Sequence, residues 1–189
     1  MLSLRGGLNS AEHSAERDPF RREVRYSIVT HSKSTSHLHT YLNDHLAGSV
    51  AALELLDHLV EHHDGNPLEK FFRDLRTEIS TDQETLRTLI RKLGAEESSV
   101  RKAGAWITQK IGQMKIGTAD ADDRFGLLQA LEALALGIAG KKLLWRLLGA
   151  IASHRPEFEE TDFRRLETRA EEQVTRVEAE RLRTAREIF

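Results

Sequence analysis

The 189-residue chain contains no cysteine, only 3 prolines and few aromatic residues, at 6%. Without cysteine it can form no disulfide, thiolate metal site, iron–sulfur cluster or thiol nucleophile. With 12 glycines and 31% charged residues, the composition is typical of a globular helical protein. The length suits one domain with room for a flexible end.

The chain also lacks an excess of one charge, since 28 basic residues face 30 acidic ones for a formal net charge of −2. A dedicated nucleic-acid protein needs a basic excess or a basic face, so we expect no nucleic-acid partner. No glycine-rich phosphate loop and no G-x-S-x-G nucleophile motif occurs in the sequence. These absences exclude the commonest nucleotide-binding and serine-hydrolase patterns.

Long uninterrupted hydrophobic runs are missing as well. The most apolar stretch, residues 126–151, is interrupted by Glu132, Lys141, Lys142 and Arg146. A membrane-spanning helix needs about 18–20 apolar residues with few or no charges, so this stretch predicts a buried helix. The first twenty residues hold no apolar segment of the secretory type, and we therefore expect a cytoplasmic protein.

Helical periodicity organises the chain from about residue 36 onward, whereas residues 1–35 show none that is sustained. The sequence therefore predicts a flexible N-terminal tail over 1–35 and a helical bundle over 36–189. Asp64-Gly65-Asn66-Pro67 predicts a tight turn, with Asn66 as the capping residue of the second helix. The four long predicted helices cover about 36–63, 67–93, 119–152 and 156–189.

The connections between these helices alternate in length as short, long and short. Residues 95–118 join the two predicted hairpins and contain a short helix through Val100, Trp106 and Ile111. A long crossover between the second and third helices is what a ferritin-like bundle requires. From Phe71-Phe72 to Leu93-Gly94, with Glu78 and Asp82 between them, the chain resembles the second helix of the ferritin-like superfamily. The expected fold is thus all-α, a ferritin-like four-helix bundle whose long crossover contains a short helix.

The resemblance implies di-iron chemistry only if the family's ligands are present. Ferritin-like di-iron proteins use a glutamate from each of two helices and Glu-x-x-His from each of the other two. The second and fourth predicted helices contain no histidine, and Glu78 and Glu172 are each followed three residues later by threonine. Iron oxidation is therefore not expected, and the sequence requires no cofactor.

One acidic residue lies on or near the apolar side of each long predicted helix. These four acids suggest two interpretations. They form a histidine-free carboxylate site for a divalent metal, or they pair with the nearby cations Lys142, Arg146 and Arg181, because buried charges must be paired. We expect Asp82 to be buried beside Arg181 or Arg146. The candidate ligands are Asp57, Asp82, Glu132 and Glu167.

Histidines concentrate in the first predicted helix, with seven of the nine between His31 and His63. His58 and His62 are one turn apart, a spacing that can bind a divalent metal. Because that face lies opposite Leu53 and Leu56, we expect it to face solvent.

Three functions follow from these observations. The first is a non-catalytic ferritin-like bundle that acts through its surface or as a homo-oligomer. The second is a ferritin-like protein that binds metal through carboxylates, with His45 or His63 as additional ligands. The third places the helix over 126–151 at a membrane surface. The charges within that helix make a membrane partner the least favoured of the three.

Overall fold

The computed structural model describes residues 19–94 and 121–189, with side chains over 35–94 and 124–189. Within those ranges every regular element is helical, which confirms the all-α class. The chain divides into two compact units, Met1–Thr40 and Tyr41–Phe189, and the candidate site lies in the second. The short helix predicted in 95–118 falls outside the described residues.

Helix α1 spans Pro19–His62 and is longer than the sequence predicted. It begins at Pro19 rather than near Ser36. Proline is well suited to the first position of a helix, and no further proline follows before residue 67. The prediction failed because it required an amphipathic pattern, whereas a helix can continue through residues that lack one.

The turn into helix α2, Pro67–Lys92, has the predicted capping arrangement. The side chain of Asn66 accepts a hydrogen bond from the backbone N–H of Leu68 at 3.0 Å. Glu69 reaches back and accepts from the N–H of Gly65 at 2.9 Å. Gly65 has φ +72° and Gly94, beyond the other end of α2, has φ +70°, the left-handed region that favours glycine. Local sequence therefore sets both ends of α2.

Helix α3 spans Ala121–Ile151 and helix α4 spans Phe163–Ile188. The fourth helix was predicted to begin at Pro156, but that proline begins only a short 3₁₀ turn, Pro156–Phe158. Asp162 provides the cap instead, accepting from the N–H of Arg165 at 3.0 Å. The fully buried side chain of Phe158 anchors the intervening turn, so the chain changes direction before α4 begins.

Ion pairs and hydrogen bonds between two helices show their relative direction. In parallel helices the residue numbers of successive pairs increase on both helices, whereas in antiparallel helices they increase on one and decrease on the other. Both hairpins are antiparallel by this test. The pairs are Asp57–Arg76 and Ser49–Gln83 between α1 and α2, and Lys142–Glu171 and Arg146–Glu167 between α3 and α4.

Helices α2 and α4 are also antiparallel, because Asp82 pairs with Arg169 while the earlier Glu78 pairs with the later Arg176. Helix α3 is antiparallel to α4 as well. It follows that α2 and α3 run in the same direction, although they are consecutive helices of the described residues. A bundle with simple up-down-up-down connections would have them antiparallel.

The core is built from leucines of all four helices together with four large aromatic side chains, Phe72, Trp145, Phe158 and Phe163. Trp145 and Phe163 lie with ring centroids 6.4 Å apart, and Phe158 packs against Phe163 edge to face at 5.7 Å. These contacts bury apolar area where α4 begins. Within the described residues, no helix has the length and apolar content to cross a membrane.

Candidate functional site

A buried ion network lies where α2, α3 and α4 meet. Asp82 of α2 is 1% exposed and forms ion pairs with two cations. Lys141 of α3 places Nζ 2.5 Å from Oδ2, and Arg169 of α4 donates to Oδ1. The prediction that Asp82 is buried and bonded to a cation is confirmed. The predicted cations, Arg181 and Arg146, are wrong.

Gln173 connects this pair to a second carboxylate. Its side-chain oxygen accepts from Lys141 Nζ at 2.5 Å, and its Nε2 donates to Glu78 at 3.0 Å. Glu78 in turn accepts from Arg176 at 2.6 Å. Gln173 is fully buried, so the network satisfies a polar side chain that would otherwise be costly in the core. Two carboxylates face three cations, which leaves one formal positive charge.

The environment of Lys141 disfavours its charged form. Burial lowers the pKa of Lys141, and the charges of Asp82 and Glu78 oppose that shift while Arg169 adds to it. Its side chain is 13% exposed. The ammonium is therefore held by its hydrogen bonds to Asp82 and Gln173 rather than by water.

The other three candidate acids do not join Asp82. Asp57 of α1 is exposed and pairs with Arg76 of α2, which donates from Nη2 to Oδ2 at 3.2 Å. Hydrogen bonding to Asp57 raises the pKa of Arg76. Glu132 is exposed on α3. Glu167 of α4 pairs with Arg146 at 2.6 Å.

Lys142 and Arg181 also have acidic neighbours at the surface. Lys142 pairs with Glu171 at 2.5 Å, and Arg181 pairs with Glu178 at 2.7 Å. Hydrogen bonding to Glu178 raises the pKa of Arg181, and the more distant Glu132 adds to the shift. Across residues 35–94 and 124–189, no three acidic or histidine side chains form a group that could hold a metal ion. Asp57, Asp82 and Glu167 each pair with a basic side chain, not with another acid.

His63, directly after α1, packs against α2, whereas His45 packs within α1. His63 Nδ1 lies 2.8 Å from the carbonyl of Leu59, and its ring packs against Phe72 of α2 with centroids 5.3 Å apart. His45 packs edge to face on Tyr41 at 4.7 Å. Burial lowers the pKa of His45, with Asp44 opposing the shift, so the neutral imidazole is favoured.

A cavity of about 380 Å³ adjoins the ion network between α1, α2 and α3. Its volume falls within the range typical of small-molecule sites, about 300–1,000 Å³. Three glycines, Gly48, Gly137 and Gly140, contribute to its wall, and a Cβ added at any of them would meet no atom within 4 Å. No side chain narrows the cavity at these positions of α1 and α3.

The polar groups of this cavity come from all three helices. Asp82 and Lys141 line it from the network, and His45 lines it from α1. Trp145 also lines it, is 1% exposed, and has no hydrogen-bond partner for Nε1 in the described part of the chain. The Nε1 atom is itself buried, so this costly unpaired N–H lies within the packed wall and not at the surface of the cavity.

Sequence reasoning found Asp82 but missed Lys141, Arg169, Gln173 and the cavity. In the sequence Lys141 stands out only as an interruption of an apolar run, and Arg169 and Gln173 do not stand out at all. The available signal was a lysine with Gly137 and Gly140 on the same side of a long apolar helix.

Comparisons with protein-family models, curated proteins and solved structures gave no match to this chain.

Proposed function

We propose that this protein is a ferritin-like helical bundle without catalytic activity that acts by self-association. The ferritin-like assignment is supported by the parallel direction of the consecutive helices α2 and α3 between two antiparallel hairpins. The absence of catalysis is supported by the neutralisation of Asp82 by two cations, where a di-iron enzyme would need open coordination positions.

Self-association is supported by an exposed apolar strip on α3, which we call the leucine face: Leu136, Gly140, Leu143 and Leu147. The three leucines are 70%, 56% and 40% exposed. Their spacing of four, three and four residues is the repeat by which two helices pack side by side. Leucines this exposed and this regularly spaced along one helix mark an interaction surface.

The leucine face is complementary to itself in an antiparallel two-fold arrangement. With the axis between Ala139 and Gly140, Leu136 lies opposite Leu143 of the second copy. Gly140 then lies at the closest approach, where the lack of a side chain lets the helices come together. Glu132 lies within one residue of the level of Arg146 of the second copy, so opposite charges meet beside the apolar contact. A homodimer uses this kind of self-complementary surface.

Sedimentation velocity of the wild type and the double variant Leu136→Lys/Leu143→Lys tests this proposal. We expect the wild type to sediment as a dimer of the 21.4 kDa chain and the variant as a monomer, because two lysines on each copy would meet at the interface. Leu182→Lys is the matched control, since Leu182 is 42% exposed on α4 away from the leucine face. A monomeric wild type, or a variant that still dimerises, would contradict the proposal.

A further inference from the structure

Lys141 contributes an amine to the wall of the cavity between α1, α2 and α3. Its side chain is 13% exposed, and Nζ donates two of its three N–H groups to Asp82 and Gln173. Because the substituents of this nitrogen are tetrahedral, its remaining position points away from both acceptors. Loss of the proton at that position leaves a lone pair and keeps both hydrogen bonds. The network can therefore hold Lys141 as a neutral, nucleophilic amine.

The charges around Lys141 also favour the neutral amine. Two carboxylates and three cations leave the network with one excess positive charge: Asp82, Glu78, Lys141, Arg169 and Arg176. Loss of one proton from Lys141 makes the charges equal, and Asp82 stays paired with Arg169. Burial is the largest cause that lowers the pKa of Lys141; Arg169 adds to this shift and the two carboxylates oppose it. Desolvation and a neighbouring cation are the two conditions that make a protein lysine nucleophilic.

Helix α1, on the other side of the cavity, does not reverse this balance of charge. His45 lines the cavity, and burial lowers its pKa, so the neutral imidazole is favoured. The acid that α1 contributes to the wall, Asp44, is exposed and therefore screened by water.

The rest of the wall suits a small molecule with apolar and polar parts. Its large apolar side chains come from α2 and α3 and include Ile79, Leu86, Ile138 and Leu144. The wall also holds Tyr41, Ser49 and Gln83, of which Gln83 donates to Ser49 at 2.9 Å. Among the described residues that line the cavity, Lys141 is the one amine.

We propose that Lys141 binds small aldehydes covalently in this cavity, as an imine. The neutral Nζ attacks the carbonyl carbon and forms a C–N bond, while the carbonyl π electrons move to oxygen. The two protons of the amine then leave with that oxygen as water, and the C=N bond forms, so the step needs no oxidant or reductant. The adduct is reversed by hydrolysis. It is a binding event without turnover and does not depend on self-association.

Reductive trapping of the full chain with benzaldehyde and cyanoborohydride tests the proposal, because hydride transfer to the imine carbon makes the adduct permanent. An ordinary lysine is almost entirely protonated at pH 7 and reacts slowly. We expect peptide mass spectrometry to show labelling of Lys141 at least tenfold faster than that of Lys142 or Lys70. Lys142 is the matched control, since it is the next residue but pairs with the exposed Glu171. Equal or slower labelling of Lys141 would overturn the proposal.

Three variants test whether the charges of the network set this reactivity. Arg169→Gln removes the neighbouring cation and should slow labelling of Lys141 at pH 7, whereas Glu78→Gln removes an anion and should accelerate it. A change in access to the cavity alone would not produce effects of opposite sign. Lys141→Arg keeps a cation for Asp82 but forms no imine, so the fast adduct should be lost while circular dichroism is unchanged. Effects of the same sign in the first two variants, or a fast adduct in Lys141→Arg, would refute the proposal.

Gly140 belongs both to the cavity wall and to the leucine face, so a second copy bound there could restrict entry to the cavity. Labelling is therefore measured over a wide range of protein concentrations, with sedimentation velocity of the same samples. Selective labelling of Lys141 at any concentration supports the site. Selective labelling in dilute samples alone would also place the second copy over the cavity. Its absence at every concentration overturns the site, whatever the state of association.

Discussion

Asp82→Asn removes the negative charge at the centre of the buried network and keeps the side-chain volume. Lys141 and Arg169 then lose the carboxylate that neutralises them, while their side chains are only 13% and 28% exposed. Removing one partner of a buried ion pair costs about 3–5 kcal/mol because an uncompensated charge stays in the core. Gln173 and Glu78 remain as partial acceptors, so we expect about 3–4 kcal/mol here.

For a chain of this size each kcal/mol lowers the melting temperature by about 2–4 °C, so the expected decrease is roughly 6–16 °C. Urea unfolding followed by circular dichroism measures the free-energy change directly. The matched control is Asp57→Asn, which makes the same chemical change in an interhelical pair whose side chains are 50% and 42% exposed. That change should cost less than about 1 kcal/mol, as exposed ion pairs do.

A double-mutant cycle separates the ion pair from general disruption. Combining Asp82→Asn with Lys141→Met removes both charges, so the loss should be smaller than the sum of the two single losses by about 1–3 kcal/mol. If Asp82→Asn shifts stability by less than about 0.5 kcal/mol, or if the two losses simply add, the buried network does not have the role assigned to it.

Three further predictions concern pH, iron and the first turn. The folded-state pKa of His45 lies below the unfolded value of 6.5, so the unfolded chain takes up a proton first as pH falls. Stability should therefore decrease from about pH 6.5 downward, and His45→Phe should flatten that slope in urea midpoints measured between pH 7.5 and 5.5. The apoprotein, incubated anaerobically with Fe²⁺, freed of unbound metal and exposed to oxygen, should show no rapid growth of ferric absorbance; two retained irons per chain with fast oxidation would contradict this. Gly65→Ala should cost about 1–2 kcal/mol, because Gly65 has φ +72°, whereas Gly48→Ala within α1 should be neutral or stabilising in the same unfolding assay.

Features fixed by neighbouring residues could be predicted from the sequence. Gly65, Asn66 and Glu69 lie within one turn of each other, and Asn66 caps α2 as predicted. The inward position of Asp82 follows from its place between Ile79 and Leu86 on one helix. Each of these predictions needs only the geometry of a single helix or turn.

Features that depend on the alignment of two helices could not be predicted in the same way. Lys141 and Arg169 contact Asp82 because α3 and α4 are placed at one particular level along α2 and in one particular rotation about their own axes, which the sequence of a single helix does not specify. The cavity also depends on this alignment, since its wall combines residues of α1, α2 and α3. The extension of α1 to Pro19 was missed for a different reason, since its first part lacks the amphipathic pattern on which the prediction relied.

Disulfide formation by Gly140→Cys tests the proposed self-association most directly. The chain has no native cysteine, and a side chain at Gly140 would meet no atom within 4 Å. In the antiparallel pairing through the leucine face, the two copies of residue 140 lie beside the two-fold axis, where helices about 8–10 Å apart bring short side chains together. The account predicts a covalent dimer of Gly140→Cys on mild oxidation and none for Ala179→Cys on α4. Equal dimer formation by both variants, or none by Gly140→Cys, would contradict it.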